Sequence, residues 1–270
     1  MAVLQLDMYS YELAMNTQAA VLLPERRGVP HRSREGAPYP VLYLLHGHGQ
    51  DHTSWLRLTR IESYLQNSDV ILVMPNGSRG CYVDGAYTHR YGTYLTEELS
   101  LALKNWFHIS PRREDTFIAG MSMGGYGALR AAMSHPELYA AAAGMSTAVR
   151  LDKMELGPDS AEKGLSIPEL EEVDRNFRCV FGPEAEYENT DFSLKHLARK
   201  LNGSAGVKPR LLQLCGDDDP LLRANEDLAS FFKAECPNLD HTFRVSPGMH
   251  NFDYWDREIG TVLRFFGLLP

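Results

Sequence analysis

The sequence predicts a doubly wound, mostly parallel α/β sheet, and three observations carry that expectation. Short, wholly apolar runs such as Pro40-Val-Leu-Tyr-Leu-Leu45 and Val70–Met74 have the character of strands buried on both faces. Helix-period segments separate these runs, a rhythm that favours parallel βαβ units. In the middle of the chain, Thr116 to Ala128 reads as a strand, a sharp turn at Gly120-Met121-Ser122-Met123-Gly124, and a helix closed by Pro136.

Composition sets the bounds. The 270 residues are 44% hydrophobic and 23% charged, enough for one sizeable domain covering 1–270. A net charge of −8 disfavours nucleic-acid and anionic-membrane partners. No apolar run approaches the roughly 20 residues of a membrane span. The first residues, MAVLQLDMYSYELAMN, have neither a basic leader nor a long apolar core, and the four cysteines are scattered without metal-ligand spacing. A reduced cytoplasmic setting is the expectation, with a processed secreted form as the alternative. A homo-oligomer is compatible with the sequence.

Taken in order, residues 2–9 and 14–23 predict an antiparallel pair at one sheet edge. Pro24 to Pro38 is a basic connection carrying Arg26, Arg27, His31, Arg32 and Arg34, expected to be a solvated loop rather than an anion site. The 40–45 strand runs into His46-Gly47-His48-Gly49, followed by a helical stretch over 54–65. After the 70–74 strand comes a long loop to Gly92, and then a helix over 94–106 whose face is Leu95, Leu99, Ala102 and Trp106. The central strand and helix follow, then a small-residue strand over 139–145. From Ser146 to Val207 the rhythm breaks, with helical candidates near 167–181 and 191–201. This segment is expected to be a cap-like insertion over the carboxyl edge of the sheet, where ligands bind in such folds. Alternation resumes with a strand over 210–215, a helix over 221–234, a strand over 242–245 and a helix over 252–266.

The chemistry concentrates after strand ends. The turn around Ser122 forces a strained backbone and pushes the hydroxyl out at a helix N-terminus. Gly216-Asp217-Asp218-Asp219-Pro220 follows one later strand, and Ser246-Pro247-Gly248-Met249-His250 follows the next. Ser, acid and His therefore share one edge, in that order. A neutral imidazole at His250 can take the serine proton, and a carboxylate can fix its tautomer. Pro220 biases its predecessor to an extended shape, which favours Asp219 slightly and leaves Asp217 and Asp218 open. The N–H groups of Met123 and His48 are the expected oxyanion donors. His46, His48, Asp51 and His52 suggest a binuclear metal site as the rival, but Gln50 stands where an aspartate should and the spacing is off by one. No metal and no cofactor is expected.

With these residues in place, the sequence resembles the esterase D-like branch of the α/β-hydrolases, which includes tributyrin esterases, S-formylglutathione hydrolases, feruloyl esterases and mycolyltransferases. The resemblance rests on YLLHGHGQDHTSW (43–55), VMPNGS (73–78), TFIAGMSMGGYGAL (116–129), LCGDDDPLL (214–222) and PGMHNFDYWD (247–256). It implies the α/β-hydrolase fold and a catalytic acid at Asp219, from the family pattern C-G-x-x-D-x-L. It also implies a serine carboxylesterase acting on a small-molecule ester of a short acyl or hydroxycinnamoyl acid. S-formylglutathione hydrolysis and acyl transfer by the same triad are the alternatives. Two departures bear on the substrate: Phe252, preceded by Asn251, stands where Trp is usual, and 151–166 is longer than in many relatives. Trp55, Tyr126, Phe252 and Tyr254 are the expected substrate-binding side chains, with Tyr82 and Tyr87 as further aromatics able to face a flat acyl group.

Overall fold

The computed structural model describes residues 1–25, 36–149, 167–182 and 184–269. Eight strands form one sheet: β1 (Ala2–Ser10), β2 (Met15–Leu23), β3 (Val41–Leu45), β4 (Ile71–Pro75), β5 (Thr116–Met121), β6 (Ala141–Met145), β7 (Arg210–Gly216) and β8 (His241–Ser246). Their order is β1-β2-β4-β3-β5-β6-β7-β8. Only β2 runs against its neighbours; β4, β3 and β5 to β8 are parallel. This is the α/β-hydrolase arrangement.

The strands from β3 to β6 have no exposed residue, which is why they read as unbroken apolar runs. Alternate residues feed two cores. Leu42, Leu44, Leu72 and Met74 pack with α1 (Ser54–Leu58), α2 (Ile61–Leu65) and α9 (Phe252–Phe265). Val41, Tyr43, Leu45 and Val73 pack with α4 (Leu99–Trp106), α5 (Met123–Ser134), α7 (Leu194–Gly203) and α8 (Leu222–Glu235). The helix α6 (Ile167–Phe181) joins the second core through Phe177, Val180 and Phe181.

Two local expectations need correction. The helix over 54–65 is two short helices, because Thr59 is extended (φ −138°, ψ 171°) and the Arg60 N–H and guanidinium are drawn to Asp256 on α9. The helix over 94–106 begins earlier, at α3 (Tyr91–Thr93), and passes through a π turn at Tyr94–Glu98 before α4. A π turn holds one extra residue, so the later buried face moves on by one position. Leu103 is fully buried in place of Ala102, and Trp106 is 54% exposed.

The basic run Arg26, Arg27, His31, Arg32 and Arg34 lies outside the described residues, as does 151–166. The remainder of 146–207 packs against α5 and α8 and over the loop that follows β4. Among the described residues no helix is long and apolar enough to cross a membrane.

Candidate active site

The loops after β3, β5, β6, β7 and β8 meet at one edge of the sheet. Ser122 sits between β5 and α5 with φ 54° and ψ −119°, a left-handed conformation costing on the order of 1–3 kcal/mol for a non-glycine residue. Its surroundings hold it there: the Ser122 N–H donates to Met145 O (2.8 Å), and its carbonyl accepts from the N–H groups of Tyr126 (3.1 Å) and Ala148 (3.2 Å). The flanking glycines are required by close backbone passage. A Cβ on Gly120 would lie 2.3 Å from Gly124 O, and one on Gly124 would lie 2.5 Å from Leu45 O and 2.6 Å from His46 O.

His250, on the loop after β8, has Nε2 at 3.1 Å from Ser122 Oγ. Its Nδ1 lies 3.0 Å and 3.2 Å from the two oxygens of Asp219, on the loop after β7. An ionised carboxylate at Nδ1 puts the ring proton there and leaves the Nε2 lone pair facing the serine hydroxyl. The Asp219 side chain is fully buried, and its Oδ1 also accepts the Leu221 N–H (2.8 Å). Burial alone would raise its pKa. The hydrogen bond and charge of His250, the Ser146 hydroxyl and the Leu221 N–H outweigh burial and hold the carboxyl below its ordinary value. Asp217 and Asp218 are exposed. They brace the histidine loop instead: Asp217 Oδ1 accepts the Gly248 N–H (2.9 Å), and the Asp218 N–H donates to Gly248 O (3.0 Å).

Two backbone donors lie on the elements that flank Ser122. Met123 is the first residue of α5, where an N–H has no intrahelical acceptor. The loop carrying His48 runs beside the serine, so closely that a Cβ on Gly47 would stand 3.5 Å from Ser122 Cβ. Among the described residues neither the Met123 nor the His48 N–H has a hydrogen-bond acceptor. A negative oxygen beside Ser122 is what such a pair can hold.

The other histidines of that loop are engaged differently. His46 is buried, with Nε2 accepting the Gly77 N–H (2.9 Å) and Nδ1 2.8 Å from Gly47 O. Burial lowers its pKa to about 4, so it is neutral at pH 7 and ties the β3 loop to the β4 loop. With both ring nitrogens used, it offers no lone pair to a cation. The His48 ring lies against Phe177 of α6, with centroids 5.8 Å apart. Among the described residues no three His, Cys, Asp or Glu side chains gather as a metal would require.

Of the four side chains expected against substrate, three are packed into the scaffold. Trp55 is fully buried and donates from Nε1 to Leu45 O (3.1 Å). Tyr126 is fully buried, its hydroxyl donating to Phe192 O (2.7 Å). Tyr254 is 1% exposed. Each lies on a helix packed against a core, and sequence periodicity does not separate a core aromatic from a pocket aromatic. Phe252 is half-buried, edge-on to Trp55 and Trp255. Tyr82 is likewise buried, its hydroxyl donating to His46 O (3.2 Å), whereas Tyr87 is exposed.

Sequence reasoning missed three residues beside the site. Ser146 follows β6 directly at φ 49° and is fully buried. Trp255 stands edge-on to the His250 ring (5.0 Å) and donates from Nε1 to Ser146 Oγ (3.0 Å). Phe177 is the third. The one available signal was Ser146's position at a strand end on the catalytic edge.

The family model described as "Putative esterase" matches residues 10–266. The chain is 28% identical over 268 residues to an acetyl esterase of Caldicellulosiruptor saccharolyticus, covering 98% of each protein. It resembles two solved Staphylococcus aureus structures, each at 27% identity with 98% of both chains covered. One is the fluorophosphonate-binding serine hydrolase FphF, substrate bound (TM-score 0.83), and the other is the S-formylglutathione hydrolase FrmB, apoenzyme (TM-score 0.78).

Proposed function

The chain belongs to the Esterase family and is a carboxylic ester hydrolase, and from that premise we propose that it cleaves small esters of short acyl acids through an acyl-enzyme on Ser122. The observation that carries this reading is the hydrogen-bonded row from Ser122 Oγ through His250 to the buried Asp219 carboxylate.

In this mechanism Ser122 Oγ attacks the ester carbonyl carbon while its proton moves to His250 Nε2. The carbonyl oxygen, now negative, is received by the N–H groups of Met123 and His48. The tetrahedral intermediate collapses, the carbon–alkoxy bond breaks, and the leaving alkoxide takes the proton from His250. Water then attacks the acyl-enzyme with His250 again as base, releasing the acid and restoring the serine. Asp219, held ionised, keeps the imidazole proton on Nδ1 and stabilises the imidazolium.

The preference for short acyl groups rests on α6. Phe177 lies against the ring of His48, the residue whose main chain would hold the oxyanion, and we take it as the side chain that shortens the acyl side of the site. With Trp55, Tyr82 and Tyr126 buried, a flat hydroxycinnamoyl group loses most of its expected aromatic partners. Hydrolysis of S-formylglutathione is a second reading, favoured by the end-to-end similarity to FrmB; formyl is the shortest acyl group of all. A kcat/KM series on p-nitrophenyl acetate, butyrate, octanoate and dodecanoate, beside S-formylglutathione and methyl ferulate, tests these readings. A maximum at two to four acyl carbons is expected. A maximum at dodecanoate would overturn the short-acyl reading, and product transfer to added alcohol in preference to water would make the protein an acyltransferase.

A further inference from the structure

Resting on the Ser122 reading, we infer that Trp255 and Ser146 are positioning residues for the catalytic acid: the indole N–H fixes the Ser146 hydroxyl so that its proton points at Asp219. The argument begins with what each group can do. An indole N–H donates and cannot accept, whereas a hydroxyl both donates once and accepts. Trp255 Nε1 lies 3.0 Å from Ser146 Oγ, so Ser146 is the acceptor there and its own proton must go elsewhere. The available acceptor is the carboxylate of Asp219, whose pKa the neighbouring Ser146 hydroxyl helps to lower. Trp255 is 4% exposed and Ser146 fully buried, so no bulk water competes for either bond.

The placement of Ser146 fits such a role. It takes the left-handed φ of 49°, and its N–H is tied to Leu214 O (2.7 Å), on the strand that leads to the acid. The next residue, Thr147, presents its carbonyl to Asn225 Nδ2 (2.9 Å), and Asn225 also reaches Leu221 O (2.8 Å), two residues past Asp219. The acid loop and the β6 loop are thus sewn together, and the hydroxyl is held in register with the carboxylate. The same indole stands edge-on to the His250 ring at 5.0 Å. One side chain therefore steadies the base by contact and the acid through a hydroxyl.

The consequence is electronic as well as geometric. A hydroxyl donating to Asp219 draws off part of the negative charge that stabilises the His250 imidazolium. Removing it leaves a more basic carboxylate beside the ring and moves the rising limb of the pH profile to higher pH. The other titratable groups around the pair are Cys215 and Tyr254, both kept neutral by burial, and Glu258, whose Oε1 is occupied by Ser246 Oγ and Arg257.

The test compares Ser146→Ala, Trp255→Phe and the double variant, with Ser122→Ala as the control for the reading beneath. Activity on p-nitrophenyl acetate is normalised to active sites counted by the acylation burst, so an unfolded fraction does not enter kcat. Ser146→Ala should lower kcat by up to roughly tenfold, because the carboxylate's loss of register with the ring outweighs the charge it regains. KM should be little changed, and the rising limb of kcat/KM should move to higher pH. Trp255→Phe keeps an aromatic face toward His250 but removes the donor and part of the indole's bulk, and it should shift the profile in the same direction by less. The losses in the double variant should be clearly less than additive, because the two changes share the Trp255–Ser146 bond. An unchanged kcat and profile in Ser146→Ala would overturn the inference, as would additive losses in the double variant. Retained turnover in Ser122→Ala would instead overturn the serine reading itself.

Discussion

At the scale of single residues, the three carboxylates of the β7 loop show how far neighbours decide chemistry. Asp217, Asp218 and Asp219 are adjacent and identical in type, yet only Asp219 is buried against the His250 ring. Asp219→Asn should lower kcat strongly, toward about 10⁴-fold, because an amide at that place holds the imidazole in the wrong tautomer. Asp217→Asn should do little, since its amide oxygen can still accept the Gly248 N–H, whereas Asp217→Ala should loosen the histidine loop and cost a few-fold in kcat. Steady-state kinetics on the three variants separates these outcomes, and a large loss in Asp217→Asn would show the acid to be misassigned. Ser122→Ala should keep the fold and lose on the order of 10⁴-fold or more in kcat. A fluorophosphonate should label the wild-type protein at Ser122 and leave the alanine variant unlabelled.

At the scale of elements, the site is a set of strand-end loops pressed together more tightly than side chains allow. Helix α5 starts within touching distance of the end of β3, which is why Gly124 carries no side chain. Gly124→Ala drives a methyl into the carbonyls of Leu45 and His46, both rigid backbone. The expected loss is roughly 1–3 kcal/mol in urea denaturation, with kcat falling further because the displaced loop carries the His48 N–H. Helix α6 offers a gentler test. Phe177→Ala removes the ring lying on His48 and should move the best acyl length upward by several carbons. Each newly buried methylene contributes up to about 0.8 kcal/mol. An unchanged acyl profile in a folded Phe177→Ala would take α6 out of the acyl pocket.

At the scale of the whole molecule, one buried and one half-buried histidine tie stability to pH. His46 joins the β3 and β4 loops, and His241 on β8 stacks on Phe232 of α8 with centroids 4.2 Å apart. Burial lowers both to about 4. In the unfolded chain an imidazole takes its proton near pH 6.5, so between about 6.5 and 4 the unfolded state binds more protons than the folded one. Stability therefore falls as pH drops through that window, by up to about 1.4 kcal/mol per unit for each histidine, and levels off below it. Urea midpoints at pH 7.5, 6.0, 5.0 and 4.0 should trace this decline. His241→Phe should flatten part of the slope while costing stability at pH 7.5, where Gln213 Oε1 loses the His241 Nε2 partner now 3.1 Å away. A midpoint that does not move between pH 7.5 and 5.0 would contradict it.

Much of this protein was legible in the chain itself. Strands buried on both faces must be apolar along their whole length, so β3 to β6 announce themselves. A serine forced to φ 54° between two crossing backbones needs glycine two residues either side, so the turn at Ser122 is written in the sequence as well. The Ser, Asp, His order followed from strand ends sharing one edge. What the sequence left open depends on contacts between residues far apart in the chain. The break at Thr59 is supported by Asp256, nearly two hundred residues later, and the π turn that shifts the α4 face leaves no local signature. Trp55, Tyr126 and Tyr254 have the chemistry of pocket aromatics, yet their surroundings make them core. Ser146 and Trp255 look ordinary until β6 and α9 bring an indole N–H within 3.0 Å of a hydroxyl beside the acid. Local patterns determine which backbone a segment adopts, because dihedral preference and apolar period act within a few residues. Only the packed fold decides which side chains face substrate and which face each other, because that depends on neighbours the chain brings in from elsewhere.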